Sequence, residues 1–222
     1  MGENDLIAII SSSVHDMKAP LTTISGFAGA MLDGTIPEEK REHYLAIIRD
    51  ESERMSRICE ELLEASRIEA GCENYKNETV DISDVARNVI VSLLDEIEAK
   101  NLNFEFNEPE IRQIVMGDKG AITRLLYNIC ENAVKFSYKG GDMVVTLGVI
   151  DGHNAVSIEN SGDAISDEDK EKIFLPFYRS GKGSGSGLGM FIAKRIADAH
   201  GAEIKIDRDN DRTVFTVVFG RG

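Results

Sequence analysis

Positive charge is in short supply: 25 Lys and Arg face 39 Asp and Glu, a net charge of −14. That balance argues against a nucleic-acid binder, because phosphate backbones reward basic surfaces. Any anionic ligand must then be met by local donors, a metal or a helix N-terminus. Cysteine is also sparse. Cys59, Cys72 and Cys130 cannot all pair and none has metal-ligand spacing, so reduced thiols in a reducing, cytoplasmic compartment are expected. No apolar run approaches the roughly 20 residues of a membrane helix. The longest near the start, Leu6 to Ile10, sits in no cleavable signal pattern, so this segment is expected to make no membrane contact. There is no internal repeat, and the only low-complexity piece, Ser180 to Ser186, alternates serine and glycine around Lys182. Helical periodicity begins almost at residue 5, with no globular segment ahead of it, which points to an upstream region not present here.

What remains is ordinary globular composition, 42% hydrophobic and 29% charged over 222 residues, enough for one large domain or two modest ones. From Leu6 the apolar positions run through Ile10, Val14, Met17, Leu21, Ile24, Ala28 and Met31, with gaps alternating between four and three. That is a coiled-coil seam. Asp33-Gly34 breaks it. Thr35 with Glu38 resembles a capping box, and Pro37 suits a first helical turn. A second seam through Leu45, Ile48, Ser52, Met55, Cys59 and Leu62 ends near Gly71. The short loop makes the two helices antiparallel, and one hairpin has too little area to close a core. Two hairpins forming a four-helix bundle would solve this, so a homodimer is expected.

Glu73 to Glu78 reads as a linker, giving domains of 1–72 and 79–222. In the second, helical patterns fit Ser83 to Lys100, Lys119 to Phe136, Asp167 to Phe174 and Leu188 to His200. Strand patterns fit Asn103 to Asn107, Met143 to Ile150, Ala155 to Asn160, Ala202 to Asp207 and Thr213 to Phe219. Asp151-Gly152 and Asn210-Asp211 are hairpin-type turns. Without a regular βαβ repeat, a layered α/β sandwich is the expected architecture. The whole is thus an α hairpin followed by an α/β sandwich.

Two places carry chemistry. His15 follows Val14 of the first seam, which sets its imidazole beside the packed stripe, where a second protein can reach it. Asp16 is placed to orient the ring or accept its proton, raising the nucleophilicity of the other nitrogen. Pro20 cannot donate to the carbonyl of Asp16, so a kink is expected one turn beyond His15, at about 3 kcal/mol by helix propensity. In the second domain, Asn128, Asn132 and Lys135 share one helix face at i, i+4 and i+7 and could hold a hydrated cation and polyphosphate oxygens. Asn160 to Ile165 closes a strand with a glycine turn. Phe174, Phe177 and Tyr178 cluster before Arg179. Gly185-Ser186-Gly187-Leu188-Gly189 leads into a helix, where glycines let backbone N–H groups approach phosphates.

The segment Ser13 to Leu21 resembles the phosphoacceptor box of histidine kinases, with histidine, acid, base, proline and leucine in that order. The hairpin Leu6 to Gly71 resembles that family's dimerisation and phosphotransfer domain. Asn128 to Phe136, Asn160 to Ile165, Phe174 to Arg179 and Gly185 to Gly189 resemble, in order, its asparagine, first glycine, phenylalanine and second glycine boxes. The resemblance implies the fold shared with gyrase- and Hsp90-type ATPases and binding of ATP with Mg²⁺. By position, Asn128 would ligate Mg²⁺, Asn132 and Lys135 would contact phosphates, and Phe136 would stack on adenine. Asn160, Gly162 and Ile165 would belong to the base pocket, while Gly185, Gly187, Leu188 and Gly189 would shape the lid. Arg179 and Lys182 would be cations near the γ-phosphate.

Three departures stand out. Asn160 replaces the aspartate that usually receives the adenine amino group, and its oxygen can still accept that bond without the charge. Ala164 replaces a glycine. Ala19 stands where the family often has an asparagine or threonine that positions water for dephosphorylating the regulator, so strong phosphatase activity is not expected. The resemblance implies an ATP-dependent autokinase of a two-component system. It would phosphorylate His15 and pass the group to an aspartate on the receiver domain of a response regulator. Asn160 and Ala164 lend weight to an alternative, a phosphotransfer or docking protein with a degenerate pocket. A hydrolytic switch of the gyrase type would need a glutamate in place of Asn128.

Overall fold

The computed structural model describes residues 3–179, 186–209 and 211–220, with backbone alone for 3–16 and 209. The chain divides into two compact units, Met1–Cys72 with Gly181–Leu188, and Glu73–Ser180 with Gly189–Gly222.

The first unit is the expected hairpin of α1 (Glu3–Leu32) and α2 (Arg41–Glu69). Helix α1 runs unbroken through Pro20. Just beyond it, the Thr22 and Thr23 hydroxyls donate to the carbonyls of Lys18 and Ala19, at 2.7 and 3.2 Å, a back-bonding that bends helices. Gly34, at φ 68°, ends α1 in the left-handed conformation, and the Thr35 N–H donates back to Ala30. The capping box does not form. Instead Pro37, whose side chain has no acceptor, leads into an uncapped 3₁₀ turn, Glu38–Lys40, and the Glu38 carboxylate is engaged by Arg41 at 2.9 Å. The Phe27 and Tyr44 rings pack across the hairpin with centroids 4.8 Å apart. Within α2 only Ile58 and Ala65 are fully buried, while Leu21, Leu32, Leu45 and Leu63 stay exposed. The hairpin leaves these leucines uncovered and most described seam residues only half-buried.

The second unit begins with β1 (Glu78–Asp81), α3 (Ile82–Ser92), α4 (Leu94–Ala99), β2 (Asn103–Asn107) and β3 (Ile114–Gly117). There follow α5 (Lys119–Phe136), β4 (Asp142–Ile150), β5 (His153–Ser161), α6 (Asp167–Lys172), α7 (Gly189–Ala199), β6 (Ala202–Asp209) and β7 (Arg212–Phe219). Five strands form one sheet in the order β2-β4-β5-β7-β6, with β2 parallel to β4 and the other pairs antiparallel. Asp151 and Gly152, at φ 51° and 84°, make the tight β4–β5 turn. Of the Asn210-Asp211 turn, Asn210 lies outside the described residues.

Alternation along β4 buries Met143, Val145 and Leu147, and β5 buries Val156 and Ile158. The apolar faces of α5 (Ile122, Leu125, Ile129, Ala133) and α7 (Ile192, Ile196) supply the rest of the core. This is the layered α/β sandwich anticipated from the mixed pattern. Two details differ. The helix expected over Ser83 to Lys100 breaks at Leu93, because the Ser92 hydroxyl takes the Val89 carbonyl at 2.7 Å. The antiparallel pair β1–β3 has no counterpart in the expected strands; each member is only four residues long. Among the described residues, no helix is long and apolar enough to cross a membrane.

Candidate functional site

Helix α5 organises the site. Its start is set by Asp118, whose carboxylate accepts from the Ala121 N–H and the Lys76 N–H, both at 3.0 Å. Those two backbone donors, Ala121 first, hold the Asp118 carboxyl below its ordinary range. The Asp118 N–H in turn donates to His200 Nε2 at 3.0 Å, and His200 Nδ1 lies 2.8 Å from the Ile196 carbonyl at the end of α7. His200 is thereby fixed as the tautomer with its proton on Nδ1. The Tyr75 ring packs on this imidazole, with centroids 4.9 Å apart.

Along the helix, Asn128 is 3% exposed, and its Nδ2 has no hydrogen-bond partner. A Cβ added at Gly189, the first residue of α7, would lie 3.5 Å from Asn128 Oδ1. The start of α7 thus packs close to the buried amide, at a distance where a Cβ would make ordinary van der Waals contact. Asn132 and Lys135 are half-buried, and Phe136 ends the helix with 43% of its surface exposed. The Lys135 ammonium lies 5.0 Å from the Phe136 ring centroid. Cys130, on the buried side, has its thiol pushed up to about 12 by burial and is no nucleophile.

The far end of α5 is knit to the end of β5. Ser137 and Gly162 form an antiparallel bridge, and the Tyr138 N–H donates to the Ser161 carbonyl at 2.9 Å. A Cβ at Gly162 would lie 2.3 Å from the Phe136 carbonyl oxygen and 2.9 Å from Asn160 Nδ2. Only glycine fits there. The arrangement brings Phe136, Asn160 and Gly162 together, with Asn160 3% exposed. The Tyr138 hydroxyl donates to Asp163 at 2.6 Å across the same junction, which raises the phenol above its usual range. Ile165 is half-buried, on the loop before α6.

The remaining expected residues are placed less completely. His15 and Asp16 lie in α1, on the part described by backbone alone. Lys182 and Gly185 lie outside the described residues. Gly187, at φ 75°, and the buried Leu188 group with the first unit. There the Ser186 hydroxyl donates to the Glu61 carboxylate of α2 and accepts from the Leu188 N–H at 3.1 Å. Arg179 is exposed, following Tyr178, whose hydroxyl donates to Asp169.

Lys100 carries no motif, yet its ammonium donates to three carbonyls at the end of α5. These are Val134, Lys135 and Ser137, at 2.9, 2.6 and 3.0 Å. It satisfies acceptors that every helix C-terminus leaves open and complements the helix dipole. Desolvation lowers its pKa. Lys100→Met should therefore lower stability by about 1 to 2 kcal/mol, the value of a charge-assisted bond that stays partly solvated. Lys100→Arg should recover part of the loss; urea unfolding of the three proteins measures both.

Comparison with known proteins agrees with this geometry. Residues 5–71 match the His Kinase A (phospho-acceptor) domain, and residues 117–221 match the histidine kinase-, DNA gyrase B- and HSP90-like ATPase family. The sensor histidine kinase YcbM of Bacillus subtilis is 25% identical over 226 residues, 99% of this chain and 73% of YcbM. WalK, a sensor histidine kinase of the same bacterium, is 29% identical over 89% of this chain, which spans only 34% of WalK. Among solved structures, histidine kinase ThkA in complex with the response regulator protein TrrA aligns with a TM-score of 0.78 at 26% identity. That alignment covers 97% of this chain and 61% of the other. A phosphoacceptor hairpin joined to an ATP-binding sandwich, both matched in order, makes this chain a member of the sensor histidine kinases.

Proposed function

We propose that the chain is the kinase core of a two-component system, moving the γ-phosphoryl group of ATP onto His15. The observation that supports it best is the framing of α5. Its amide- and ammonium-bearing face, Asn128 to Phe136, is met by Gly189 at one end and by Gly162 at the other. In this reading residues 1–72 form the dimerisation and phosphotransfer domain, 73–78 the linker, and 79–222 the catalytic domain of a cytoplasmic protein.

The exposed ring of Phe136 offers a face to adenine, with Asn160 at the base edge. Asn132 and Lys135 are half-buried along the polyphosphate side. Gly189 opens α7, whose free N–H groups suit phosphate oxygens. Mg²⁺ would be held through Asn128 Oδ1, the atom that faces the start of α7, while the buried and unpartnered Nδ2 is a donor suited to a phosphate oxygen. Among the described residues, no three His, Cys, Asp or Glu gather to hold a metal, so a cation here would share its coordination with substrate oxygens. When bound, it neutralises charge on the β- and γ-phosphates.

A ring nitrogen of His15 forms a bond to the γ-phosphorus as the bond to the bridging oxygen breaks, and ADP leaves. The Asp16 carboxylate orients the ring and takes its proton. Arg179 and Lys182 supply positive charge near the transferred group. The phosphoryl group then passes to a receiver-domain aspartate, a partnership supported by the similarity to ThkA, solved with its regulator. The leucines that the hairpin leaves uncovered support a homodimer. Ala19 offers no hydrogen bond, so phosphatase activity stays weak.

Labelled Mg-ATP tests the proposal directly. Acid-labile, alkali-stable label should build up on the chain and vanish with excess EDTA. Asn128→Ala should lower the initial rate by about 100-fold, as expected for removing a charge-stabilising contact. Labelling that persists undiminished in EDTA would exclude the metal and Asn128's part in holding it.

A further inference from the structure

Asn160 lies at the end of β5 on the face shared with Val156 and Ile158, which are 1% and 0% exposed. A primary amide that extends an apolar row, itself 3% exposed, needs partners for two donors and an acceptor. Among the described residues, no side-chain hydrogen bond supplies them. Its Nδ2 lies against Gly162, where even a Cβ would approach to 2.9 Å, and Gly162 abuts the Phe136 carbonyl. The amide is thus held beside the backbone that ends α5, at the residue whose ring is exposed, with its polar atoms unspent.

We propose that Asn160 is a specificity-determining residue that admits 6-oxopurine as well as 6-aminopurine nucleoside triphosphates. The inference rests on the reading of the Asn128 to Phe136 face as the nucleotide site. A carboxylate at this position has acceptors only. It attracts the amino group at purine C6 and repels an oxo group there. An amide carries both functions. With Oδ1 forward it accepts from the 6-amino group, and with Nδ2 forward it donates to a 6-oxo oxygen. The terminal torsion of asparagine is broad and roughly two-fold, so the two orientations are interchangeable. A site that must bond a substrate donor rejects an analogue lacking it by about 10⁴-fold, and that rejection is what an amide gives up.

Inosine triphosphate is the suitable probe, since it differs from ATP at position 6 and the adjacent ring nitrogen without adding a 2-amino group. Calorimetric titration of the purified chain with each nucleotide should give dissociation constants within tenfold of one another. In Asn160→Asp the ratio should shift at least tenfold toward ATP, with the thermal midpoint recorded to verify folding. ATP binding with inosine triphosphate tenfold or more weaker on the native chain would overturn the inference and leave the nucleotide site standing. An unchanged ratio in a folded Asn160→Asp would equally overturn it. Failure of both nucleotides to bind would overturn the site itself.

Discussion

His15→Gln should abolish acid-labile label from γ-labelled Mg-ATP, by more than about a thousandfold, because His43, His153 and His200 stand outside the phosphoacceptor box and do not replace the lost nucleophile. Glutamine is a good helix former, so α1 should persist and the loss should not be a folding defect. Nucleotide affinity should stay within about twofold, since no step in ATP binding calls on the imidazole. Two measurements are needed together, label retained on a filter and nucleotide binding by titration. Label that survives the substitution would move the phosphoacceptor away from His15 and dissolve the kinase reading, whatever the pocket binds.

The second large effect belongs to Gly162→Ala. The added carbon would sit 2.3 Å from the Phe136 carbonyl oxygen, and that oxygen is backbone at the very end of α5. It cannot swing aside as a side chain would. Either α5 retreats from β5 or the turn unpairs from Ser137. Overpacking of this kind destabilises by about 3 kcal/mol. Because Phe136 and Asn160 are the groups displaced, nucleotide affinity should fall at least about tenfold with it. Gly148→Ala is the control, as a Cβ there meets nothing within 4 Å. It should be near neutral or slightly stabilising, because alanine has less backbone freedom to lose than glycine. If urea unfolding places the two variants together, the close approach at Gly162 has no energetic meaning.

What could be read from the residues was whatever is encoded over one or two turns of chain. The seams of α1 and α2, the amide face of α5 and the Asp151-Gly152 turn all depend on spacing between near neighbours. The break at Leu93 was missed because a seryl hydroxyl can either leave a helix intact or take one of its carbonyls, and periodicity alone does not choose. The β1–β3 pair was missed because each strand is too short to show alternation, and its pairing partner lies far along the chain. Lys100 escaped for a similar reason: its three acceptors come 34 to 37 residues later, a contact only the folded sheet creates. The Tyr138–Asp163 bond, spanning 25 residues, has the same origin. Motifs marked the candidate residues, and long-range contacts decided what holds their surroundings still.

The anchoring of Tyr75 and Lys76 on the Asp118–His200 cluster has a mechanical consequence. At the other side, α2 ends with Gly71 in the left-handed conformation and the Cys72 N–H bonded back to Arg67 at 3.1 Å. Only Glu73 and Asn74 separate the two anchored stretches. The linker's own backbone is therefore part of what fixes where α5 begins: freeing the Lys76 N–H would leave Asp118 with one backbone donor fewer at the helix start.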